Sequence, residues 1–517
     1  MKSITHLTRT VKQGLSILKA DSKVTQGLVY ASENRRTVGR LVYTSHIPCN
    51  GLEELKSDED LGVCVEVWFR KGGKQLVGMG HESSELSPDA VRQALKKAKR
   101  DAVPDPDFHG LYQPEKGYAQ GRRRLSFHDR RLFSLSDRAE AKFLSRAAWE
   151  TIRGTVHGIA PYARKHRLSP KQLAFILNGD HFIVRESMAL ASTNGVVDSE
   201  CSTIVLSFLT AMLEKERSKG SAWSARSSLS GFSPYVLGKQ AARSAIQGVG
   251  GLRVGGGTYP VVFGPQAVAE LFGGLLLSHF TLSLIDFGAS LFAGQYGKPV
   301  ASPLLSLSDD PTIRGGAGSK RVSCEGAPTA RKVLLDKGVL TGYLSDSRTT
   351  NKMLGRVTEA TAKLGVSPTT IARAIRPSNG FRFSDGGGRA ASSPVGTHAT
   401  NLVIDSPTPL SMERLLRKVQ NGLYIGRLWY TYPVGGYATG IISGTAVADS
   451  YLIRNGKLAS PILPNTLRLE DNLARMVRDI FGVGKAKVPT ILWASDEITY
   501  APCVAVDGVR FVSIGQE

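Results

Sequence analysis

The segment from Tyr259 to Phe280 constrains this chain more than any other. Tyr259-Pro-Val-Val-Phe263 is a run of β-branched and aromatic residues that reads as a short buried strand. Gly264-Pro265 stops it, and Gln266-Ala-Val-Ala-Glu-Leu-Phe272 opens an amphipathic helix with proline in its first turn. A hydrolytic zinc site on such a helix requires imidazoles one turn apart with a carboxylate beside them. The next residues are Gly273-Gly-Leu-Leu-Leu-Ser278, which supply neither.

At 517 residues the chain has the length of two or three domains with well-buried cores. No apolar run reaches the roughly 18 residues of a membrane span, and Leu271–Ile285 is broken by Gly273, Gly274, Ser278 and His279. The stretch Met1–Lys23 scatters Lys and Arg and has no signal-peptide core, so cytoplasmic residence without membrane association is expected. Five dispersed cysteines, none in a Cys-x-x-Cys pair, read as reduced thiols rather than a disulfide framework or a zinc site.

A net charge of +22 suits an anionic partner. The excess is thinly spread, however, and its concentrations at Arg92–Arg100, Arg122–Arg124 and Arg130–Arg131 carry no interleaved aromatics. Single-strand platforms need those rings, so a solvated basic face is favoured over nucleic-acid binding.

The periodicity predicts an α+β protein, with an N-terminal α/β domain of antiparallel sheet and helices before a larger β-rich C-terminal domain. Val63–Phe69, the turn Lys71-Gly-Gly-Lys74 and Gln75–Met79 form a hairpin, and Ser87-Pro-Asp89 caps a helix to about Ala102. These belong to a first unit, 1–103. A basic linker, 104–135, comes next, with its arginines in the stretch 121–131. A middle segment, 136–254, completes the N-terminal region with a helix from Ser136 to Arg153, strands on either side of Thr193-Asn-Gly195, and a helix from Ser233 to Gln247. The remainder, 255–517, alternates short strands and glycine-rich turns.

Few motifs carry chemistry by themselves. His81-Glu82 has no second histidine at helical spacing, and the run Ser83–Pro88 after it reads as a loop before a helix, not a zinc site. His279 is expected to be a core or helix-terminal residue, whereas His398, in Gly396-Thr-His-Ala-Thr-Asn401, stands in a strand–loop context suited to ligand contact. The glycine runs at 255–257, 386–388 and 435–436 lack phosphate-loop spacing and read as tight turns or close backbone approaches. Asp309-Asp310-Pro311 concentrates negative charge in a turn on a basic chain, and Cys324-Glu325-Gly326 lies in another polar turn.

These two motifs begin an ordered series in which the chain resembles the TldD/PmbA family of peptide-processing proteins. The series comprises Thr258–Pro265, Gly288-Ala-Ser290, Tyr296–Ser302, Leu305–Pro311, Cys324–Thr329, Leu334–Leu344, Asn401–Ile404 and Leu452–Lys457. Upstream, Val63–Ala98 and Ser192–Gly195 are similar to the family's N-terminal elements. The resemblance implies two kinds of subunit. The TldD-like kind carries a His-Glu-x-x-x-His helix that binds a metal for peptide hydrolysis, and the PmbA-like (TldE-like) kind lacks it and helps form the substrate passage. The family's two metal histidines fall near Gly273 and Ser278 here, and its glutamate near Gly274. An acid of the family's usual signature is also replaced, by Cys324.

The resemblance thus implies a PmbA/TldE-like subunit with no catalytic residue and no cofactor of its own, zinc on a TldD-like partner, and an unfolded peptide as substrate. Asp309, Asp310, Glu325, His398, Gly435 and Gly436 are the candidate peptide contacts. A homo-oligomer is a further possibility. The alternatives are a non-catalytic basic protein that binds nucleic acid or another anionic partner, and a divergent relative with other chemistry.

Overall fold

The computed structural model describes residues 4–49, 51–115, 127–384, 386–493 and 495–515. Most of the basic stretch read at 121–131, including Arg122–Arg124, lies outside the described residues. The fold is α+β. Its N-terminal half is built on an antiparallel sheet containing β1 (Val24–Thr44), β2 (Gly51–Lys71), β3 (Lys74–Ser83), β4 (Phe175–Ser192), β5 (Val197–Leu213) and β6 (Ser218–Arg226). The order across the sheet is β3-β2-β1-β4-β5-β6, with the two-residue strand Val103–Pro104 added outside β3.

The sheet is buried on both faces, and the period of two assigns each residue to one neighbour or the other. Val29, Ala31, Val63, Val65, Val67, Ala189 and Ala191 pack with α1 (Ile4–Ala20) and α2 (Pro88–Arg100). Farther along the same face, Leu41, Phe175, Leu177, Leu209 and Ala211 meet α3 (Asp137–Lys165) and α4 (Pro234–Gln247). The intervening residues Leu28, Tyr30, Cys64, Met188 and Leu190 face the C-terminal part through Val322, Cys324 and Phe381.

Local chemistry explains the turns. Gly72 and Gly73 both take positive φ (59° and 76°) between the paired Lys71 and Lys74, the geometry of a two-residue hairpin turn. Ser87 accepts the Ala90 N–H at the start of α2. Helix α3 runs on to Lys165 beyond the expected end at Arg153, because its packing against α4 continues through Gly158 and Ile159. His81 and Glu82 lie within β3, paired with Cys64 and Val63, and the loop read at Ser83–Pro88 follows between the strand's end at Ser83 and α2. The strand propensity of His81 and Glu82 is weak, and cross-strand pairing overrides it.

Close approach of α2 to β3 depends on glycine. A Cβ on Gly80 would stand 1.9 Å from the Ala94 carbonyl oxygen and 2.7 Å from the Ala98 nitrogen. Gly80→Ala is therefore expected to cost about 1–3 kcal/mol through displacement of the helix, measured as a lower urea midpoint at unchanged slope.

The C-terminal half holds two larger sheets around one continuous core. The nine-stranded sheet has β7 (Gly257–Phe263) near its middle, flanked by β14 (Val504–Ser513) and the parallel strand Gly422–Ile425. Its edge is formed by β11 (Arg427–Pro433), which pairs with β12 (Ile441–Ala448). The six-stranded sheet contains β8 (Ser306–Asp309), β9 (Lys332–Asp336), β10 (Asn401–Asp405) and β13 (Ile498–Ala501). No helix among the described residues is long and apolar enough to cross a membrane.

Candidate functional site

The strand and Gly-Pro turn read from Tyr259–Pro265 are present, but they lead into something other than an ordinary amphipathic helix. One α turn, Pro265–Val268, passes into a π-helix, Ala269–Leu276, and then a 3-10 turn, Leu277–Phe280. The Leu277 N–H bonds to the Phe272 carbonyl, five residues back. Most of its side chains are apolar and buried, because the segment is lodged between the two C-terminal sheets. A π turn brings residues five apart onto one face, and π-helices recur at functional sites.

Gly273 and Ser278 are five apart, and their surroundings are close. A Cβ on Gly273 would stand 2.5 Å from Thr499 Oγ1 on β13, and one on Gly274 would stand 3.3 Å from Leu492 Cδ1. Glu270 is the acid of this segment. It accepts hydrogen bonds from Gln266 Nε2 (2.9 Å) and Thr431 Oγ1 (2.5 Å). Burial raises its pKa against the pull of those two bonds. Gln266 Oε1 in turn accepts the Leu428 N–H at 3.0 Å, so the helix is tied to β11 twice.

His279 is buried, and its Nδ1 accepts the Leu291 N–H at 3.2 Å. Burial pushes it down to about 4, leaving a neutral structural acceptor, as its sequence context suggested. No group of three or more His, Cys, Asp or Glu among the described residues is arranged to hold a metal ion. The side chains of the 265–280 segment do not fit a hydrolytic metal.

Beside this helix, β11 presents an open edge. Its ladder with β12 slips between Trp429 and Tyr432, where Tyr430 takes φ 52° and is 74% exposed. A left-handed conformation in a bulky residue marks a bulge that aims its side chain outward. Tyr432, Val434 and Ile441 are also exposed, and the strand leads into Gly435 and Gly436, both exposed and at positive φ. An unpaired strand edge with apolar pockets is a surface on which an extended peptide adds as a further strand.

A second, polar locus lies where β8 ends and β10 begins. Asp309 is buried, with Oδ1 accepting from the Thr400 N–H (2.8 Å), Thr400 Oγ1 (2.7 Å) and the Asn401 N–H, and Oδ2 from Asn379 Nδ2 (2.7 Å). Burial raises its pKa while these bonds oppose it. The expected charged turn is thus an internal anchor at Asp309, while Asp310 makes the Asx-type turn by accepting from Thr312 N–H at 2.9 Å.

Asn379 also donates to the His398 carbonyl at 3.0 Å. The His398 imidazole, against the edge of Phe383, lies 2.9 Å from Glu497 Oε1. Burial opposes the imidazolium, but the Glu497 hydrogen bond and the charges of Glu497 and Asp496 hold His398 above its usual value. Asp496 accepts the Gly386 and Gly388 N–H groups (2.9 and 2.8 Å), which fixes that glycine loop. Nearby, Glu325 accepts the Ser347 N–H at 2.8 Å against Gly380. Burial and the adjacent Asp346 push Glu325 up to about 8.

Asp309, Glu325 and His398 therefore belong to one connected locus, linked by Asn379, Asp346 and the short strand pair 380–381/396–397. Gly435 and Gly436 lie apart from it, beyond β11, with no hydrogen bond to it. Sequence reading missed Asn379, Asp346 and the pair Asp496-Glu497. Only the last left a signal, an acidic doublet on a basic chain like the one at Asp309-Asp310.

A two-part α+β chain whose C-terminal sheets enclose a glycine-bearing π-helix defines a recognisable class. Residues 256–513 match the PmbA/TldA metallopeptidase C-terminal domain. The chain is 28% identical over 303 residues to a metalloprotease TldD homolog of Haemophilus influenzae, covering 55% of each. It is 26% identical over 249 residues to a metalloprotease of Methanothermobacter thermautotrophicus, covering 48% of this chain and 47% of that one. The chain spans about half the length of the curated relatives it matches. In fold it is similar to the crystal structure of TldE from Thermococcus kodakarensis, with a TM-score of 0.74 and 17% identity over 97% of this chain and 100% of that one. The chain belongs to the TldD/PmbA family.

Proposed function

We propose that this chain is the non-metal, TldE-like subunit of a cytoplasmic peptidase complex whose catalytic metal, zinc, sits on a TldD-like partner. The observation that carries this reading is that Gly273 and Gly274 carry no side chain to bind a metal, and a Cβ at Gly273 would stand 2.5 Å from Thr499 Oγ1. The chain's own role is then to hold unfolded peptide by strand addition along β11 and the Gly435-Gly436 loop. The Gly386 loop, Asp310, Glu325 and His398 supply polar contacts, and Asp309 holds the turn in place. Glu270 ties the helix to β11 and takes no part in proton transfer.

The test is a peptidase assay with and without the TldD-like chain, together with metal analysis of this chain alone. The expected result is no stoichiometric zinc on the isolated chain and chelator-sensitive cleavage only when both chains are present. Zinc bound one-to-one by this chain, with cleavage by it alone, sinks the proposal.

A further inference from the structure

Strands β8 and β9 border a cleft of about 940 Å³. Arg331, Lys332, Lys337, Arg373 and Arg376 line it, against the acids Asp336 and Asp405. Two of these charges are already paired, Arg376 with Glu115 at 2.8 Å and Asp405 with Lys487 at 2.7 Å. None of Arg331, Lys332, Lys337 and Arg373 has a carboxylate within 4 Å among the described residues. Among the described residues, Arg331, Lys332, Lys337 and Arg373 thus share one concavity without an ion pair, against the acid Asp336.

Lys332 is the most constrained of the four. Its Nζ donates to the Arg376 carbonyl at 2.7 Å and reaches Ser345 Oγ at 3.5 Å. Burial lowers it to about 7; Asp309 on β8 supports its charge and Arg376 opposes it. A cation kept partly dry, with only the buried Asp309 to support its charge, gains when an anion arrives beside it. Between the charges the walls are apolar, with Tyr296, Val333, Leu335 and Pro407 lining the cleft. Such a lining fits a ligand with an apolar body and separated single charges. A polyphosphate would set its dense charge against Asp336, whereas guanidinium forks match carboxylates singly.

We infer that this cleft binds an acidic stretch of peptide, its carboxylates meeting Arg331, Lys332 and Arg373. The inference deepens the reading of this chain as a peptide-holding subunit and rests on that reading only for the ligand being a peptide. It gives the subunit a preference, for unfolded segments rich in Asp and Glu, at a place apart from β11.

The experiment uses the full chain without a partner and a fluorescently labelled Asp/Glu-rich peptide, with its Asn/Gln counterpart as control. Anisotropy is expected to show binding of the acidic peptide that weakens steeply with salt, and at least tenfold weaker binding of the neutral one. The double variant Arg331→Glu/Arg373→Glu, both exposed positions, is expected to lose at least tenfold, whereas Lys96→Glu on α2 binds like the parent. Melting curves report whether the double variant is folded; if it is not, Arg331→Gln/Arg373→Gln is read in its place. Equal binding by the folded double variant overturns the inference. So does displacement of the peptide by inorganic pyrophosphate at lower concentration than by the unlabelled peptide. Acidic-peptide binding without any peptidase activity in the two-chain complex would overturn the subunit reading alone. The reverse result would overturn the cleft alone.

Discussion

Replacing Arg389 with methionine is expected to destabilise the chain by about 3–5 kcal/mol, because it removes the central cation of a buried charge cluster. Arg389 is fully buried, its guanidinium 2.9 Å from Glu186 and 2.7 Å from Glu200, both of which are buried as well. Its backbone carbonyl accepts from Asn34, its N–H donates to Glu186, and the Ala391 N–H donates to Ser32. Lys320 completes the group at 2.8 Å from Glu186. These residues join the even-numbered face of β1 and β4 to the C-terminal half, so the loss of one cation strands carboxylates at the seam between the halves.

The pH dependence is set by Glu186. Burial alone would raise its pKa, but Arg389 and Lys320 outweigh burial and hold it well below the usual carboxylate range. A folded value below the unfolded one gives stability that is present above the ordinary Glu range and lost as pH falls through the lower value. The gap between parent and variant should therefore be widest near neutral pH and close in strong acid. Urea titrations across pH measure this. A gap that stays the same down to strong acid would show that lost packing, not charge, carries the effect. Arg389→Met/Glu200→Gln should recover part of the loss.

Glu325→Gln is expected to act in the opposite direction, stabilising the protein by about 1–3 kcal/mol at pH 9 and leaving it nearly unchanged at pH 4.5. With a folded value near 8, Glu325 favours its neutral form in the native state. Stability is then present below the ordinary Glu range and is lost as pH rises through about 8. A glutamine is neutral throughout and still accepts the Ser347 N–H. Part of the residue reaches solvent, which keeps the gain below that of a fully enclosed carboxyl. Paired melting curves at the two pH values test this, and equal shifts at both would refute it. If Glu325 also contacts peptide, the same variant should shift the alkaline limb of peptide binding.

Much of the N-terminal half could be read because its signals are local. Gly72-Gly73, Asn194-Gly195 and Ser87 encode their turns and cap within a few residues. Tyr259–Phe263 and Gly264-Pro265 were legible for the same reason. The π-helix was not, since its residues carry no local signal for a π turn and its neighbours Thr499 and Leu492 come from a distant part of the chain.

The candidate site divides along the same line. Asp309, Glu325 and His398 announced themselves as polar residues in turns. That Asp309 is saturated by Asn379, Thr400 and Asn401, while His398 is held by Glu497, is a matter of tertiary approach. That Gly273 and Ser278 carry no imidazole was visible in the sequence. The closeness of Thr499 to Gly273 was not.

The long ladder between β1 and β4 has a consequence for how the chain is made. Leu28 pairs with Ser192 and Thr44 with Ile176, without a slip anywhere between. During synthesis β1 can form its hairpin with β2 at once, but its other edge must wait until β4 has emerged. For that interval an intermediate exposes one edge of a long strand, and a one-residue misalignment would turn Glu186 toward α3 and Arg185 toward the C-terminal half. The buried charges on the two faces thus serve as a proofreading device for registration. Only the correct alignment neutralises both Arg185 with Glu140 and Glu186 with Arg389.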